Sequence, residues 1–172
     1  MTNSPSPKAI VAATTGTANV DLVKRLGADI VIDYKKDDFD KRLHDYDVVL
    51  NSLGTETLYK SLGVLKPGGR LISISGPPDP DFAKEQRLSW LLRQVMRLLS
   101  YRIRKKAKRQ EVNYSFLFMR ASGSQLIEIS ALIDSGVIRP VLDRVFPFES
   151  TREALAYVES GRAKGKVVIK VK

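Results

Sequence analysis

The chain has 172 residues, of which 29 are lysine or arginine and 19 are aspartate or glutamate, and its formal net charge is +10. The hydrophobic fraction of 43% and the charged fraction of 28% are typical of a globular chain and exclude wholesale disorder. With no cysteine and one histidine, the sequence excludes a disulfide scaffold, a thiolate zinc or iron–sulfur site and a cysteine nucleophile. We therefore expect no metal site in this chain.

The order of the predicted elements favours an α/β fold. Short apolar segments typical of buried strands alternate with helical segments, a pattern that predicts a doubly wound, mostly parallel sheet. We predict that residues 1–8 are disordered and that residues 9–172 form one domain. The predicted strands are residues 9–15, 29–33, 46–51, 70–75, 114–118 and 166–171, with an extended segment at 138–146. The predicted helices are residues 17–26, 38–43, 55–65, 122–134 and 150–161.

Positive charge is concentrated in one segment. Residues 84–109 hold ten lysines and arginines and one glutamate, so the remainder of the chain is close to neutral. Apolar residues recur there with helical spacing at Leu88, Leu92, Val95, Leu99 and Ile103. The pattern predicts one inserted basic amphipathic helix over about residues 81–110.

Three roles are open for this helix. It packs its leucine stripe on the domain, or it contacts a partner or a membrane surface peripherally, or it binds nucleic acid. Nucleic acid is disfavoured because only Trp90 and Tyr101 are available for base stacking.

Five segments in a fixed order resemble a known family. They are residues 27–34 (GADIVIDY), 46–52 (YDVVLNS), 65–73 (LKPGGRLIS), 145–148 (VFPF) and 161–168 (GRAKGKVV). In this order they resemble the C-terminal part of medium-chain dehydrogenases/reductases, and most closely the zinc-independent, NADP-dependent, quinone-oxidoreductase-like branch of the alcohol dehydrogenase superfamily. The resemblance implies an incomplete Rossmann domain followed by a C-terminal return segment.

Two parts of that family are not found in the sequence. The resemblance implies an N-terminal catalytic domain and a first Rossmann strand with a glycine-rich turn, which holds the pyrophosphate at a helix N-terminus. Since that strand lies in the middle of the usual order 3-2-1-4-5-6, its neighbours are expected to expose unpaired edges. We therefore interpret the chain as a fragment, from a truncated or split gene, that aggregates or is only marginally folded alone.

The end of the first predicted strand favours NADP(H) over NAD(H). An NAD-preferring site usually places an acid there to bind the ribose 2′-hydroxyl, whereas this sequence has Thr14, Thr15 and Thr17. Their small hydroxyls leave room for a 2′-phosphate, and Lys35 and Lys36 follow nearby in sequence. The resemblance adds Tyr34, which matches a family tyrosine that helps to hold this phosphate.

Further cofactor-binding residues are expected where later strands end, because open α/β sheets bind ligands at the carboxyl ends of their strands. The resemblance adds a closing glycine–lysine pair near the nicotinamide. The residues expected from these two sources are Asn51, Ser52, Gly54, Ser75 and Gly76 from the strand ends, and Gly165 and Lys166 from the closing segment.

The resemblance implies hydride transfer between a nicotinamide cofactor and a quinone, an enone, or an aldehyde or ketone. No catalytic residue is assigned; the aspartates, among them Asp33 and Asp143, are expected to be solvated or to cap turns. Two alternatives stay open: a methyltransferase-like domain that uses S-adenosylmethionine, since residues 46–73 also fit that class, and a non-catalytic module built around the basic helix.

Location and assembly are also predicted. No apolar segment approaches the roughly 20 residues that span a bilayer, and no secretory signal is evident, so we interpret the protein as cytoplasmic. In the resembled family, the strand that matches residues 114–118 pairs across a two-fold axis. This implies a homodimer, with an edge covered within the monomer as the alternative.

Overall fold

The computed structural model describes residues 9–171, so the predicted disordered start lies outside the described residues. These residues form two compact units, residues 9–119 and residues 120–171, where the sequence predicted one domain. The boundary falls in the short connection between a strand and a helix. No long linker marks that connection in the sequence.

The first unit alternates strands and helices as predicted, with ends shifted by a few residues, except that the predicted helix 38–43 is only a 3-10 turn at Phe39–Lys41. Its strands are β1 (Ala12–Thr15), β2 (Ile30–Asp33), β3 (Tyr46–Asn51), β4 (Leu65–Ser73) and β5 (Asn113–Phe116). Its helices are α1 (Val20–Arg25), α2 (Thr55–Ser61), α3 (Pro80–Glu85), α4 (Trp90–Leu99) and α5 (Tyr101–Arg109). No helix within residues 9–171 is both long enough and apolar enough to cross a bilayer.

The strands of this unit form two separate parallel sheets. One has the order β1-β2 and the other the order β3-β4-β5. In the usual strand order these are the two flanks of a Rossmann sheet, and no described strand joins them in the middle. The predicted fold class, an incomplete, mostly parallel Rossmann-like sheet, is therefore confirmed.

Side chains connect the two sheets even though backbone hydrogen bonds do not. A small core of Ile32, Leu43 and Val64 packs against Tyr46 and Val49 of β3. The apolar core of the unit thus extends across the interrupted sheet.

The larger core lies between the three-stranded sheet and the helices that flank it. Leu58 of α2, Leu71 of β4 and Ile103 of α5 are each at most 1% exposed. Leu62, Leu65, Ala107 and Val112 complete this buried cluster. By contrast, Val48 and Leu50 of β3 are 55% and 64% exposed, although strands with apolar residues on both faces are usually covered on both. One side of β3 therefore has no cover within the described chain.

The predicted single basic helix is wrong, because the structure has the three helices α3, α4 and α5. Arg87 takes a left-handed backbone conformation (φ 51°) that ends the first helical segment. Ser89 then caps α4 by accepting a hydrogen bond from the Leu92 N–H at 3.4 Å. A buried Ser100 separates α4 from α5, and its hydroxyl donates to the Met96 carbonyl at 2.8 Å.

Asp79 ties the start of this basic segment to the edge of the sheet. Its Oδ1 accepts from the Phe82 N–H at 2.8 Å, which caps α3, and its Oδ2 accepts from the Phe116 N–H of β5 at 3.0 Å. The side chain is 4% exposed. If the Asp79 carboxylate were removed, both backbone N–H groups would lose an acceptor that water cannot readily replace. Phe82 also packs edge-to-face on Phe116, with ring centroids 5.2 Å apart.

We expect Asp79→Ala to lower the free energy of unfolding by about 2–4 kcal/mol, since it removes a helix cap and leaves a buried N–H unpaired. Urea denaturation measures the change. Asp81→Ala, an exposed acid in the same helical turn, is the control and should cost less than about 1 kcal/mol. Equal losses in both variants would contradict the bridging role.

The second unit is smaller and contains α6 (Gly123–Asp134), β6 (Leu142–Pro147), α7 (Thr151–Glu159) and β7 (Lys166–Lys170). The strands β6 and β7 pair in parallel. The Tyr157 hydroxyl of α7 donates to Asp143 Oδ2 of β6 at 2.7 Å, and this bond lowers the pKa of Asp143 and raises that of Tyr157. Asp143 is thus a structural anchor for the helix.

The helix α6 begins with a side-chain cap, because the Ser122 hydroxyl accepts from the Gln125 N–H at 3.3 Å. The helix α7 has no such cap, since the Ser150 side chain makes no hydrogen bond to it. Thr151 instead donates its hydroxyl to the Phe148 carbonyl at 2.5 Å.

Candidate functional site

A polar cluster lies at the carboxyl ends of β3 and β4. Asn51 ends β3 and Ser73 ends β4, and both are buried, at 3% and 0% exposed. The Ser73 hydroxyl donates to Asn51 Oδ1 at 3.3 Å, and the Ser75 hydroxyl oxygen lies 3.4 Å from the same atom. Ser75 also reaches the Leu53 carbonyl at 2.5 Å, and the Gly76 N–H donates to Ser73 Oγ at 2.8 Å. Of the predicted residues, Asn51, Ser75 and Gly76 therefore lie together.

Asn51 keeps one unused donor in this cluster. Its Nδ2 is buried and has no hydrogen-bond partner, while its Oδ1 accepts from the Ser73 hydroxyl. A buried polar atom without a partner is rare in native structures because desolvating it costs about 1–3 kcal/mol. A carbonyl or hydroxyl of a bound molecule would satisfy this amide, so the cluster has the chemistry of a binding site.

The two predicted turn glycines differ in their surroundings. A Cβ on Gly76 would lie 2.8 Å from Ser73 Oγ, 2.9 Å from the Tyr114 hydroxyl oxygen and 3.0 Å from Leu58 Cδ2, so only glycine fits. A Cβ on Gly54, which precedes α2, would meet no atom within 4 Å. Ser52 lies between β3 and α2 and is exposed. Gly76 is therefore fixed by packing, whereas Gly54 leaves open space beside the cluster.

We expect Gly76→Ala to destabilise the fold by about 1–3 kcal/mol, because the added methyl group overlaps three packed atoms. Chemical denaturation measures this loss. The matched control is Gly63→Ala, whose methyl group would meet no atom within 4 Å and should change stability by less than about 0.5 kcal/mol. A Gly76→Ala variant as stable as wild type would show that the turn relaxes freely.

Tyr114 of β5 contacts the turn at Gly76 and Pro77 through its side chain. Its hydroxyl donates to the Pro77 carbonyl at 2.7 Å. Burial is the main reason that the pKa of Tyr114 is raised, and the nearby Asp79 and Tyr59 raise it further. Deprotonation of Tyr114 would place a negative charge in this half-buried position and break the bond to Pro77.

This shift predicts a loss of stability at alkaline pH. The contribution of Tyr114 is full below pH 10.0, the ordinary tyrosine pKa, and is lost as pH rises above it, because the unfolded chain releases the proton while the folded chain retains it. Tyr114→Phe should therefore lose stability less steeply above pH 10.0, by up to about 1.4 kcal/mol per pH unit. Tyr101→Phe, at an exposed position, should follow the wild-type curve in urea melts.

A second polar group lies where β1 and β2 end. The Thr17 hydroxyl donates to Asp33 Oδ2 at 2.7 Å, and the Lys35 N–H donates to Asp33 Oδ1 at 3.1 Å. The Thr17 hydrogen bond is the first cause of a lowered pKa for Asp33, and Lys36, with its ammonium 3.8 Å away, lowers it further. Of the two roles expected for Asp33, solvated or capping a turn, the structure shows the second, since Asp33 is 9% exposed and is the shared acceptor of this turn.

The other predicted residues of this group are placed as follows. Tyr34 is 58% exposed, and its ring lies against Gly16, where a Cβ would be 3.2 Å from the tyrosine hydroxyl oxygen. Thr14 is exposed and Thr15 is half-buried on β1. Tyr34 and the threonine hydroxyls thus lie around one turn, but the Thr17 hydroxyl already donates to a carboxylate.

Gly165 and Lys166 belong to the second unit and have a clear structural role there. The Lys166 N–H donates to the Val141 carbonyl at 2.7 Å. A Cβ on Gly165 would overlap the same carbonyl, so this position requires glycine for the close approach of the two chain segments.

Sequence reasoning missed Ser73 and expected only a solvated or turn-capping role for Asp33, yet each of them organises one of these groups. Ser73 is the common partner of Asn51 and Gly76, and Asp33 is the common partner of Thr17 and Lys35. Both are the last residues of their strands, a position that could have indicated them.

A separate cleft of about 340 Å³ lies between α5 and β5. Its lining includes Arg104, Lys108 and Asn113, which starts β5. The cleft is therefore at the amino end of the strand and is distinct from the strand-end cluster.

The described residues contain no group of three or more histidines, aspartates or glutamates placed to hold a metal ion. The whole sequence also lacks cysteine and has one histidine. A zinc site built from cysteine and histidine side chains therefore does not fit this chain.

Comparison with known proteins gives a consistent picture. The profile of the family described as zinc-binding dehydrogenase matches residues 26–169. The chain is 34% identical over 155 residues to the mitochondrial NAD(P)H oxidoreductase RTN4IP1 of Danio rerio, covering 87% of the chain and 40% of that protein. It is 29% identical over 161 residues to the chloroplastic NADPH-dependent alkenal/one oxidoreductase of Arabidopsis thaliana, covering 92% of the chain and 33% of that protein.

A solved structure matches the fold. The quinone oxidoreductase from Coxiella burnetii superposes with a TM-score of 0.72 at 22% identity, over 94% of this chain and 45% of that one. The chain thus spans less than half the length of each of these proteins. The prediction of a cytoplasmic protein is contradicted by relatives such as the zebrafish enzyme, which is mitochondrial.

Proposed function

Because the chain belongs to the zinc-binding dehydrogenase family, we propose that it supplies the nucleotide-binding part of an oxidoreductase that uses NADP(H). The observation that carries this proposal is the cluster at the ends of β3 and β4, where Asn51 holds a buried and unpaired amide donor. Parallel α/β sheets bind dinucleotides at this edge, so a bound ribose or nicotinamide amide would satisfy the donor. Asn51, Ser52, Gly54, Ser75 and Gly76 form this part of the proposed site.

The adenosine end of the cofactor is proposed to lie where β1 and β2 end. Thr14, Thr15 and Tyr34 offer hydroxyls there, and no acid occupies the end of β1. Asp33 accepts hydrogen bonds from Thr17 and the Lys35 N–H, and the Lys36 ammonium lies 3.8 Å from its Oδ2. The positive charges of Lys35 and Lys36 at this turn would attract a 2′-phosphate. We therefore favour NADP(H) over NAD(H).

The reaction class follows from the cofactor. A bound NADPH supplies a hydride, and the protein orients the nicotinamide against an electrophilic carbon. We propose a conjugated enone or a quinone as substrate, with an aldehyde or ketone as the alternative, in line with the alkenal/one oxidoreductase among the relatives. The described residues of this chain contribute cofactor contacts; the acid that completes the reduction is not assigned to any of them.

Other features of the whole protein are also proposals. Gly165 and Lys166 are proposed to lie near the nicotinamide. A mitochondrial location is proposed from the zebrafish relative. The family match does not support the methyltransferase-like alternative. Peripheral membrane contact through the basic segment is independent of the dinucleotide site and stays a prediction.

A homodimer through the edge of β5 also stays a prediction. One outward N–H of this edge, that of Phe116, already donates to Asp79, and Phe82 covers the Phe116 ring. These contacts favour an edge that is covered within the monomer. A dimer formed there would have to replace the bond to Asp79.

A titration with adenosine nucleotides tests the cofactor preference without needing the nicotinamide. We expect 2′,5′-ADP to bind at least about tenfold more tightly than 5′-AMP, measured by isothermal titration calorimetry, because only the former carries the 2′-phosphate. Lys36→Glu should remove most of this difference, whereas Lys41→Glu, an exposed lysine paired with Asp38, should not. Equal affinity for both nucleotides would contradict the NADP(H) preference, and binding of S-adenosylmethionine alone would contradict the reductase proposal.

A further inference from the structure

The helix α4 is an amphipathic helix whose apolar face has no cover in the described chain. None of its residues is buried. Leu91 is 65% exposed, Leu98 76% and Leu99 57%, and Leu92 and Val95 are each 43% exposed. At 100° per residue these five side chains lie on one side of the helix, and Arg93 and Arg97 lie on the other. Of the predicted apolar stripe, Ile103 is buried in the core, whereas Leu92, Val95 and Leu99 are exposed, so the stripe packs on the domain at α5 but not along α4.

The adjoining helix α5 has a different relation to the fold. Ile103 and Ala107 are buried in the main core, at 1% and 2% exposed, and they hold α5 against the sheet. By contrast, the charged side chains of α5 are all exposed. These are Arg102, Arg104, Lys105, Lys106, Lys108 and Arg109.

Charge decides what kind of partner fits this surface. The segment from Trp90 to Arg109 carries eight positive charges and no acidic residue. A second copy of the same surface would bring like charges together, and a nucleic acid would leave the exposed leucines in water. An anionic lipid surface matches both features, since the leucines enter the boundary between headgroups and acyl chains while the arginines and lysines contact the headgroup phosphates.

We propose that α4 docks on the surface of a bilayer that contains anionic phospholipid, with α5 supplying additional positive charge. The helix lies in the plane of the membrane, with Leu91, Val95 and Leu98 facing the acyl chains. The ten residues of α4 are too few to span a bilayer, so the contact is peripheral and reversible. The membrane contact does not depend on a bound dinucleotide.

The chain carries its own reporter for this contact. Trp90 is the sole tryptophan of the sequence, it begins α4, and it is 71% exposed. At 100° per residue Trp90 lies on the arginine side of α4, next to Arg97, so docking brings its indole to the headgroup layer of the interface. Transfer of an indole from water to this layer shifts its emission to shorter wavelength, so the fluorescence of the unlabelled 172-residue chain reports on docking.

The experiment titrates the full chain with vesicles of phosphatidylcholine mixed with phosphatidylglycerol, and in parallel with vesicles of phosphatidylcholine alone. We expect a shift of Trp90 emission and co-flotation with the mixed vesicles only, both weakened by added salt. The double variant Leu91→Glu/Leu98→Glu should bind at least about tenfold more weakly. Arg93→Gln and Arg97→Gln should each weaken binding roughly fivefold.

A matched control distinguishes lipid binding by α4 from nonspecific lipid binding by any exposed apolar helix. Leu126 and Ile127 of α6 are 64% and 73% exposed, so Leu126→Glu/Ile127→Glu makes the same change on another exposed helix and should leave vesicle binding unchanged. Circular dichroism of all variants verifies that each retains its helices.

Four results would overturn the proposal: no binding to the mixed vesicles, equal binding to both vesicle types, equal effects of the α4 and α6 variants, or a Trp90 shift that depends on protein concentration without lipid. The last result would identify a second copy of the chain as the partner of α4.

Discussion

The interrupted sheet is the constraint on which the rest of the structure depends. A parallel strand has backbone hydrogen-bonding groups on both edges. In this chain the two-stranded sheet β1-β2 and the three-stranded sheet β3-β4-β5 each end in an edge whose groups pair with no described strand. Cohesion across the gap comes from apolar side chains alone, through the contacts that Tyr46 and Val49 make with Ile32, Leu43 and Val64. Hydrophobic contact is not directional, whereas strand pairing fixes register, so the two flanks are joined less specifically than the strands within each.

The candidate site shows how strand ends create binding chemistry. Asn51 and Ser73 are the last residues of neighbouring parallel strands, so backbone pairing brings their side chains together. Once the Ser73 hydroxyl donates to Asn51 Oδ1, the amide oxygen is turned toward the serines and the amide nitrogen is left without a partner. The same arrangement occurs at the ends of β1 and β2, where Asp33 accepts hydrogen bonds from the Thr17 hydroxyl and the Lys35 N–H. In both places a buried side chain arranges the exposed ones.

Most of the fold could be predicted because local patterns agree with it. The strand Tyr46–Asn51 was predicted without error, and Gly27 ends its helical segment with a positive φ of 103°, as glycine at that position indicates. The single basic helix was wrong because helical periodicity continues through Arg87, Ser89 and Ser100. In the structure Arg87 ends the first helical segment, Ser89 begins α4, and Ser100 ends α4 and begins α5. The burial of Ser73 and Asp33 could not be predicted, since it depends on which strands become neighbours. Likewise, the exposure of α4 was missed because an apolar stripe indicates that a partner exists without indicating where it lies.

The attachment of α4 has an evolutionary consequence. One end of the segment is fixed by Asp79, which bonds both α3 and β5, and the other by Ile103 and Ala107 in the core. Between these two anchors no side chain of α4 is buried, so its sequence is released from the packing demands that restrain the rest of the fold. Lineages can therefore diversify this stretch, by changing its charge or its length, while the packed core of the unit remains intact. Changes in such a segment would alter where in the cell the protein binds without altering its strand-end polar clusters.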